Sequence, residues 1–163
     1  MEIKPVTAQH LPEYAEVIRQ SFTTVAREFG FTRENCPGHT SFITDETLRS
    51  KYKPGYYPFG SFVDEKIVGF AALQNLGNGV FEMSDVAILP TYRHLKYGKA
   101  LLDFCKMQVV ALSGQKIEIS IIEDNTRVKN WYAANGFVHT GTKRYASVPF
   151  LVGHMEWITS TER

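Results

Sequence analysis

Residues 80–113, VFEMSDVAILPTYRHLKYGKALLDFCKMQVVALS, contain a strand, a basic turn and a helix in succession. The apolar character of Val80–Leu89 favours a strand, and Pro90 ends it because proline has no N–H to donate. From about Gly98 to Ser113, apolar residues recur at helical spacing, which predicts an amphipathic helix. The start of such a helix presents free N–H groups and a positive dipole end, so the turn suits an anion such as a diphosphate.

Three basic side chains accompany this turn, namely Arg93, Lys96 and Lys99. They add positive charge where an anion would bind. A basic turn that is merely solvated has the same composition, and a run this short usually has that role. The turn alone is therefore a weak indication of an anion site.

The flanking segments predict a sheet covered by helices. A strand at Ile3–Val6 precedes a helix that Thr7 can cap. The further predicted elements are a short helix near Asp45–Tyr52, strands at Phe59–Asp64, Ile67–Gln74 and Lys116–Ile122, a helix at Thr126–Asn135, and strands near Phe137–Tyr145 and Leu151–Ile158. This order predicts an α+β fold with three layers, in which helices flank a mixed, mostly antiparallel central sheet of six to seven strands. The strand, helix and strand around the basic turn form a right-handed parallel crossover.

Composition narrows the function classes. The chain has 163 residues, which predicts a single domain over residues 1–163. A net charge of +1 gives no overall field toward nucleic acid or anionic membranes. Cys36 and Cys105 form no CxxC and lie near no histidine cluster, so we expect neither a metal site nor a disulfide scaffold. No signal peptide or membrane span is predicted, which favours a cytoplasmic protein.

A second segment, Asn125–Phe137, reads as a capped amphipathic helix that Gly136 ends. Trp131 is best interpreted as a core residue. Tyr132 either packs in the core as well or presents its phenol to a ligand.

Together these segments resemble the GNAT acetyltransferase superfamily. The family's cofactor motif, [QR]xxGx[GA], appears here as Arg93–Gly98, with Lys96 at the glycine position. Its later motif, NxxAxxxYxxxGF, appears in register at Asn125, Tyr132, Gly136 and Phe137, with Val128 in place of alanine. The opening Ile3–Thr7 with Leu11 is also similar to the family's usual start. The resemblance covers essentially the whole chain and implies the acyl-CoA N-acyltransferase fold.

The resemblance also implies the ligands and the site residues. It implies acetyl-CoA as co-substrate without a metal, and a small-molecule or peptide amine as acceptor, whereas nucleic acid and membranes are not expected and a homodimer is left open. The cofactor site would consist of Val86, Ala87, Ile88, Arg93, His94, Leu95, Lys96, Tyr97, Gly98, Lys99 and Asn125.

Lys96 is a departure from the family pattern, which usually has glycine there. Glycine lets the backbone approach the pyrophosphate closely, whereas a side chain crowds it. A lysine can compensate because its ammonium can pair with a phosphate. We expect cofactor binding to be retained because the second motif is intact.

Glu82 and Asp85 lie on an otherwise apolar strand, and in a regular strand they face opposite sides. The resemblance implies a bulge in this strand. Some family members use a glutamate eleven residues before the [QR] position as general base, and that position is Glu82. An exposed charge at the strand edge is the alternative.

The resemblance assigns roles in acetyl transfer. Glu82, directly or through water, would deprotonate the amine. A backbone N–H near Val86 to Ile88 would polarise the thioester carbonyl, and the Tyr132 hydroxyl would act on the leaving sulfur. Cys105 is interpreted as a packing residue. The lone histidines His39 and His139 have structural or surface roles by default.

The region before the second strand contains many aromatic residues, which form either an acceptor pocket or part of the core: Phe22, Phe29, Phe31, Phe42, Tyr52, Tyr56, Tyr57 and Phe59. An acyl-CoA-binding sensor of the same fold, without turnover, is the alternative function. A nucleic-acid-binding α+β domain lacks the basic surface it would need.

Overall fold

The computed structural model describes residues 1–159. Its strands are β1 (Glu2–Pro5), β2 (Tyr56–Val63), β3 (Lys66–Gly77), β4 (Val80–Ile88), β5 (Lys116–Ile122), β6 (Val138–Arg144) and β7 (Leu151–Ile158). Its helices are α1 (Leu11–Phe29), α2 (Asp45–Ser50), α3 (Tyr97–Ala111) and α4 (Thr126–Ala134). Short 3-10 turns precede α1, α2 and α3.

The strands form one seven-stranded sheet in the order β1-β2-β3-β4-β5-β7-β6. Within residues 1–159, β4 and β5 are the parallel neighbours, and the other neighbours are antiparallel. The predicted mixed, mostly antiparallel sheet is therefore confirmed.

The two faces of the sheet carry separate cores. On one face, α1 and α2 pack on β3 and β4 around residues such as Leu11, Ile18, Leu48 and Phe70. On the other face, α3 and α4 pack on β4 and β5 around residues such as Leu101, Cys105, Ile117, Ile119 and Tyr132. These two helix layers and the sheet make the predicted three layers, and Cys105 is a packing residue as expected.

Local signals set the element ends. Thr7 accepts the Gln9 N–H and so caps the 3-10 turn before α1, and Gly30 ends α1 in the left-handed conformation at φ 70°. The predicted bounds differ by three residues at two places: β2 begins at Tyr56 rather than Phe59, and β3 ends at Gly77 rather than Gln74. Tyr56 pairs with Gln74, so β2 includes residues that the prediction had left outside the strand.

A membrane-spanning helix would need a long apolar stretch, and no helix in residues 1–159 has one.

Candidate active site

The centre of the sheet contains a gap between β4 and β5. The two strands pair only over Val80–Glu82 and Lys116–Glu118, and beyond Glu82 they separate. Separated strands leave backbone groups and a space between them. The β4 residues beyond Glu82, which include the predicted Val86, Ala87 and Ile88, lie along this gap.

A bulge in β4 accompanies the separation, as the family resemblance had implied. The pairing with β3 shifts between Phe70 and Ala72, and Asp85 adopts φ 55°. Because of the bulge, Asp85 reaches Lys51 at the end of α2, with Nζ–Oδ2 at 2.8 Å, and its side chain is 7% exposed. The regular-strand expectation that Asp85 and Glu82 face opposite sides is therefore wrong, since Glu82 also lies on the α1 side.

The three predicted β4 backbone groups differ in availability. The Ile88 N–H donates to Ser21 Oγ at 3.2 Å, so it is already engaged. Ala87 pairs with Phe70 in the ladder with β3. Val86, next to the bulge, is the remaining candidate on this strand.

The turn between β4 and α3 has an unusual backbone. His94 and Lys96 are both left-handed, at φ 64° and 65°. Lys96 is the residue before the first turn of α3, and no side chain caps that helix end. The lysine therefore adopts the conformation that glycine adopts without steric cost, and the N–H groups of the first turn stay available for an anion.

Arg93 does not extend toward this helix start. Its guanidinium donates to Ser21 O at 2.7 Å, to Thr24 Oγ1 at 3.0 Å and to Ile88 O at 3.2 Å. Burial, followed by the nearby positive charge of Arg127, lowers its pKa. The side chain thus fastens the turn to α1, and it is the backbone of Arg93 that remains near the helix start.

The other predicted cofactor residues of the turn lie around the start of α3. His94, Leu95 and Lys96 are exposed, whereas Tyr97 and Gly98 are half-buried. Lys99 pairs with Asp103 one helical turn later at 2.9 Å. Within the described residues, Lys96 is the exposed cation of this turn that has no such ion pair.

The second motif forms α4, which packs on the same face of the sheet as α3. Asn125, 5% exposed, accepts the Val128 N–H at 3.3 Å and so caps α4 as predicted. Tyr132, 8% exposed, packs edge-on against Trp131 and Phe137. Burial, and then the neighbouring Cys105, raises the pKa of Tyr132, so its hydroxyl keeps its proton.

Glu82 lines a cavity of about 570 Å³ on the α1 side of the sheet, formed over β5, β7 and β6. Ile117 and Ile119 point into the α3 core, so the alternate residues Glu118 and Ser120 face this cavity. Glu82 is exposed and lies opposite Glu118 in the parallel pairing. The carboxylate that the family resemblance had identified as a base is therefore in an open cavity beside the gap.

The same cavity contains a group that the sequence did not reveal. His154 hydrogen-bonds Ser120 Oγ through Nδ1 at 3.3 Å and Tyr145 Oη through Nε2 at 3.0 Å. Ser120 lies on β5, His154 on β7, and Tyr145 directly after β6. Only the strand register brings them together, and no sequence motif reports that register.

The aromatic residues before and within β2 are distributed over the two cores and a loop contact. Phe59 is buried in the α3 core, and Tyr52 and Tyr56 pack against the α1 core. The ring centroids of Phe31 and Phe150 are 5.3 Å apart, and this contact joins the loop after α1 to the loop before β7. Most of the aromatics are therefore core, while Phe31 belongs to a loop contact.

Metal ligation finds no support in the side-chain geometry. Residues 1–159 contain no group of three or more histidine, cysteine, aspartate or glutamate side chains placed to hold an ion.

Comparison with known families agrees with this geometry. A family model described as "Acetyltransferase (GNAT) family" matches residues 20–137. A relative from Lactobacillus delbrueckii subsp. lactis, an uncharacterized N-acetyltransferase in the pepI 3′ region, is 20% identical over 166 residues, covering 94% of this chain and 90% of the relative.

Solved structures share the fold at low sequence identity. The ribosomal-protein-S18-alanine N-acetyltransferase from Escherichia coli superposes with a TM-score of 0.78 at 15% identity, covering 99% of this chain and 97% of that one. The PaiA N-acetyltransferase from Thermoplasma acidophilum, solved in complex with coenzyme A, gives 0.77 at 21% identity, covering 97% and 98%.

Proposed function

Because this chain belongs to the GNAT acetyltransferase family, we propose that it transfers an acetyl group from acetyl-CoA to a primary amine. The amine would attack the thioester directly through a tetrahedral intermediate. The observation that carries the proposal is the β4–β5 gap, which has the free start of α3 on one side and the Glu82 cavity on the other. A thioester in this gap would be reachable by an amine in the cavity.

The start of α3 would bind the diphosphate of coenzyme A. No side chain caps the N–H groups in the first turn of α3, and the helix dipole is positive there. Lys96 would add an ammonium to the same anion. Its left-handed conformation supports this role, since the backbone takes the course that the family's glycine would give it.

Glu82 would remove the proton from the acceptor ammonium. An ammonium has no lone pair, so deprotonation must precede attack. Glu82 is exposed, which lets it return that proton to solvent. The developing oxyanion would be stabilised by a β4 backbone N–H, and Val86 is the candidate because the Ile88 N–H is engaged with Ser21.

Tyr132 would donate a proton to the leaving thiolate. Its raised pKa keeps the hydroxyl protonated at neutral pH. It lies in the α3–α4 layer, across the sheet from the Glu82 cavity, so base and acid would act from opposite faces. Positioning both substrates in the gap supplies a further share of the rate.

Thiol release with acetyl-CoA and a panel of amines tests the proposal. The panel should include polyamines, aminoglycosides, amino acids and peptide N-termini. We expect thiol release that depends on one acceptor class, together with coenzyme A binding by calorimetry in EDTA. Coenzyme A binding without transfer to any amine would instead favour the sensor function.

A further inference from the structure

His154 has a hydrogen-bonding environment that suits proton transfer. Each ring nitrogen faces a hydroxyl, Ser120 on one side and Tyr145 on the other. A hydroxyl can donate or accept, so either neutral tautomer and the protonated imidazolium can satisfy both nitrogens. The ring can therefore gain and lose a proton without leaving a nitrogen unpartnered.

Two other histidines lack this freedom. His139 Nε2 faces the Glu123 carboxylate at 2.8 Å, and the pKa of Glu123 is lowered chiefly by its hydrogen bond from Lys129. An ionised carboxylate only accepts, so that nitrogen must keep its hydrogen. His39 Nδ1 accepts the Ser41 N–H at 3.2 Å, and burial lowers the pKa of His39. Of these three rings, His154 is the one with a hydroxyl at both ring nitrogens.

Ser120 connects His154 to the gap. It lies on β5 two residues beyond Glu118, where β4 has already separated, and it directly opposes His154 across the β5–β7 pairing. Ser120 is exposed and lines the same cavity as Glu82. A nitrogen at the gap would thus lie between Glu82 and the Ser120 hydroxyl.

Acetylation of an ammonium removes a second proton from nitrogen, which a base beside the gap can accept. Nitrogen loses two protons in the reaction, the first before attack and the second as the C–S bond breaks. Glu82 takes the first in the proposed function. We propose that His154, acting through Ser120, takes the second, and this proposal rests on the function proposed above.

The step balances in protons. As the tetrahedral intermediate collapses, nitrogen gives its proton to Ser120 Oγ while Ser120 gives its own to His154 Nδ1. Tyr132 gives a proton to the thiolate and becomes a phenolate. Exchange with solvent then returns protonated Glu82 to carboxylate, the imidazolium to imidazole and the phenolate to phenol, leaving amide, thiol and one released proton.

The charges around His154 are compatible with a cationic substrate. Glu118 and Lys116 face the cavity from β5, Glu156 from β7, Lys143 from β6 and Glu82 from β4. Three carboxylates against two ammonium groups leave a net charge of −1. Lys116 pairs with Glu156 at 3.2 Å and with Glu118 at 3.5 Å, which leaves Glu82 as the carboxylate for an incoming ammonium.

Kinetics on variants of the full chain tests the relay. We expect His154→Gln and Ser120→Ala to lower kcat about tenfold or more at pH 7, since general base catalysis typically contributes at least that much. The KM for acetyl-CoA should stay within about twofold, and the kcat–pH profile should lose one limb that the wild type shows. His139→Gln, on the neighbouring strand, is the matched control and should keep wild-type kcat.

Ring-nitrogen NMR gives a second readout that does not depend on turnover. Neutral His154 should populate the form with its hydrogen on Nε2, as acceptance from Ser120 requires. A neutral ring with its hydrogen only on Nδ1 would overturn the relay. The relay would also be overturned if the wild type acetylates an amine and both His154→Gln and Ser120→Ala keep the wild-type kcat. The proposed function would stand in that case. If the wild type binds coenzyme A but acetylates no amine, the proposed function fails and the relay fails with it.

Discussion

The two sides of the β4–β5 gap are built from different materials. The α3 side is mostly backbone, consisting of the left-handed His94 and Lys96 and the uncapped start of the helix. The cavity side consists of side chains from separate strands, such as Glu82, Ser120 and His154. Substitutions on the cavity side should therefore change chemistry, whereas substitutions on the α3 side should change geometry or cofactor affinity.

Glu82→Gln is expected to lower kcat more than any other substitution considered. A small effect would contradict the comparison between the two sides of the gap. The amide keeps the shape but cannot accept the ammonium proton, so kcat should fall about 100-fold at neutral pH. Coenzyme A affinity, measured by calorimetry, should stay within about twofold. Glu118→Gln makes the same charge change at the paired position and should cost less than Glu82→Gln. Equal losses would mean that the cavity responds only to its total charge.

Arg93→Ala sharpens the comparison. The α3 side of the gap is mostly backbone, but the Arg93 side chain holds this turn against α1. Its guanidinium binds Ser21, Thr24 and Ile88, and removing a charged group from such bonds costs about 2 kcal/mol. The free energy of unfolding in urea should fall by about that amount. Lys99→Ala removes an exposed pair with Asp103 and should cost no more than about 0.5 kcal/mol. Equal costs would show that Arg93 does not fasten the turn.

Tyr132→Phe tests whether the α3–α4 layer contributes chemistry as well as packing. Phenylalanine fills the same buried volume, so stability should change little while kcat falls about tenfold. Because burial raises the pKa of Tyr132 above its ordinary value, deprotonation of this hydroxyl should not reduce the wild-type rate at neutral or mildly alkaline pH. Unchanged kcat in the variant across pH would make Tyr132 structural.

The same contrast explains what the sequence could predict. The strand, turn and helix of residues 80–113 are continuous in the chain, so their pattern and the motif at Arg93–Gly98 were enough to predict the order and the sheet. The His154 cluster depends on the β5–β7 register, which brings together residues 34 positions apart, and on Tyr145 directly after β6. The direction of Arg93 also depended on α1 packing, which no local pattern reports.

Lys96 offers the smallest expected effect and separates backbone from charge at one position. Lys96→Ala keeps a β-carbon in the left-handed conformation and removes the ammonium, so coenzyme A should bind about fivefold more weakly if Lys96 contacts a phosphate. Lys96→Gly removes the same charge but also relieves the left-handed strain, which is worth roughly 1 kcal/mol. We therefore expect the glycine variant to be more stable than the alanine variant in urea unfolding.

Affinity then decides what Lys96 does for the cofactor. If the ammonium matters, both variants should bind coenzyme A more weakly than the wild type, and the loss from Lys96→Ala should shrink with dephospho-coenzyme A when the 3′-phosphate is its partner. If the glycine variant binds more tightly than the wild type, the lysine side chain obstructs the turn. In that case the α3 side is purely backbone, and the contrast with the side-chain cavity becomes sharper, because charge at the turn would then come only from the helix start.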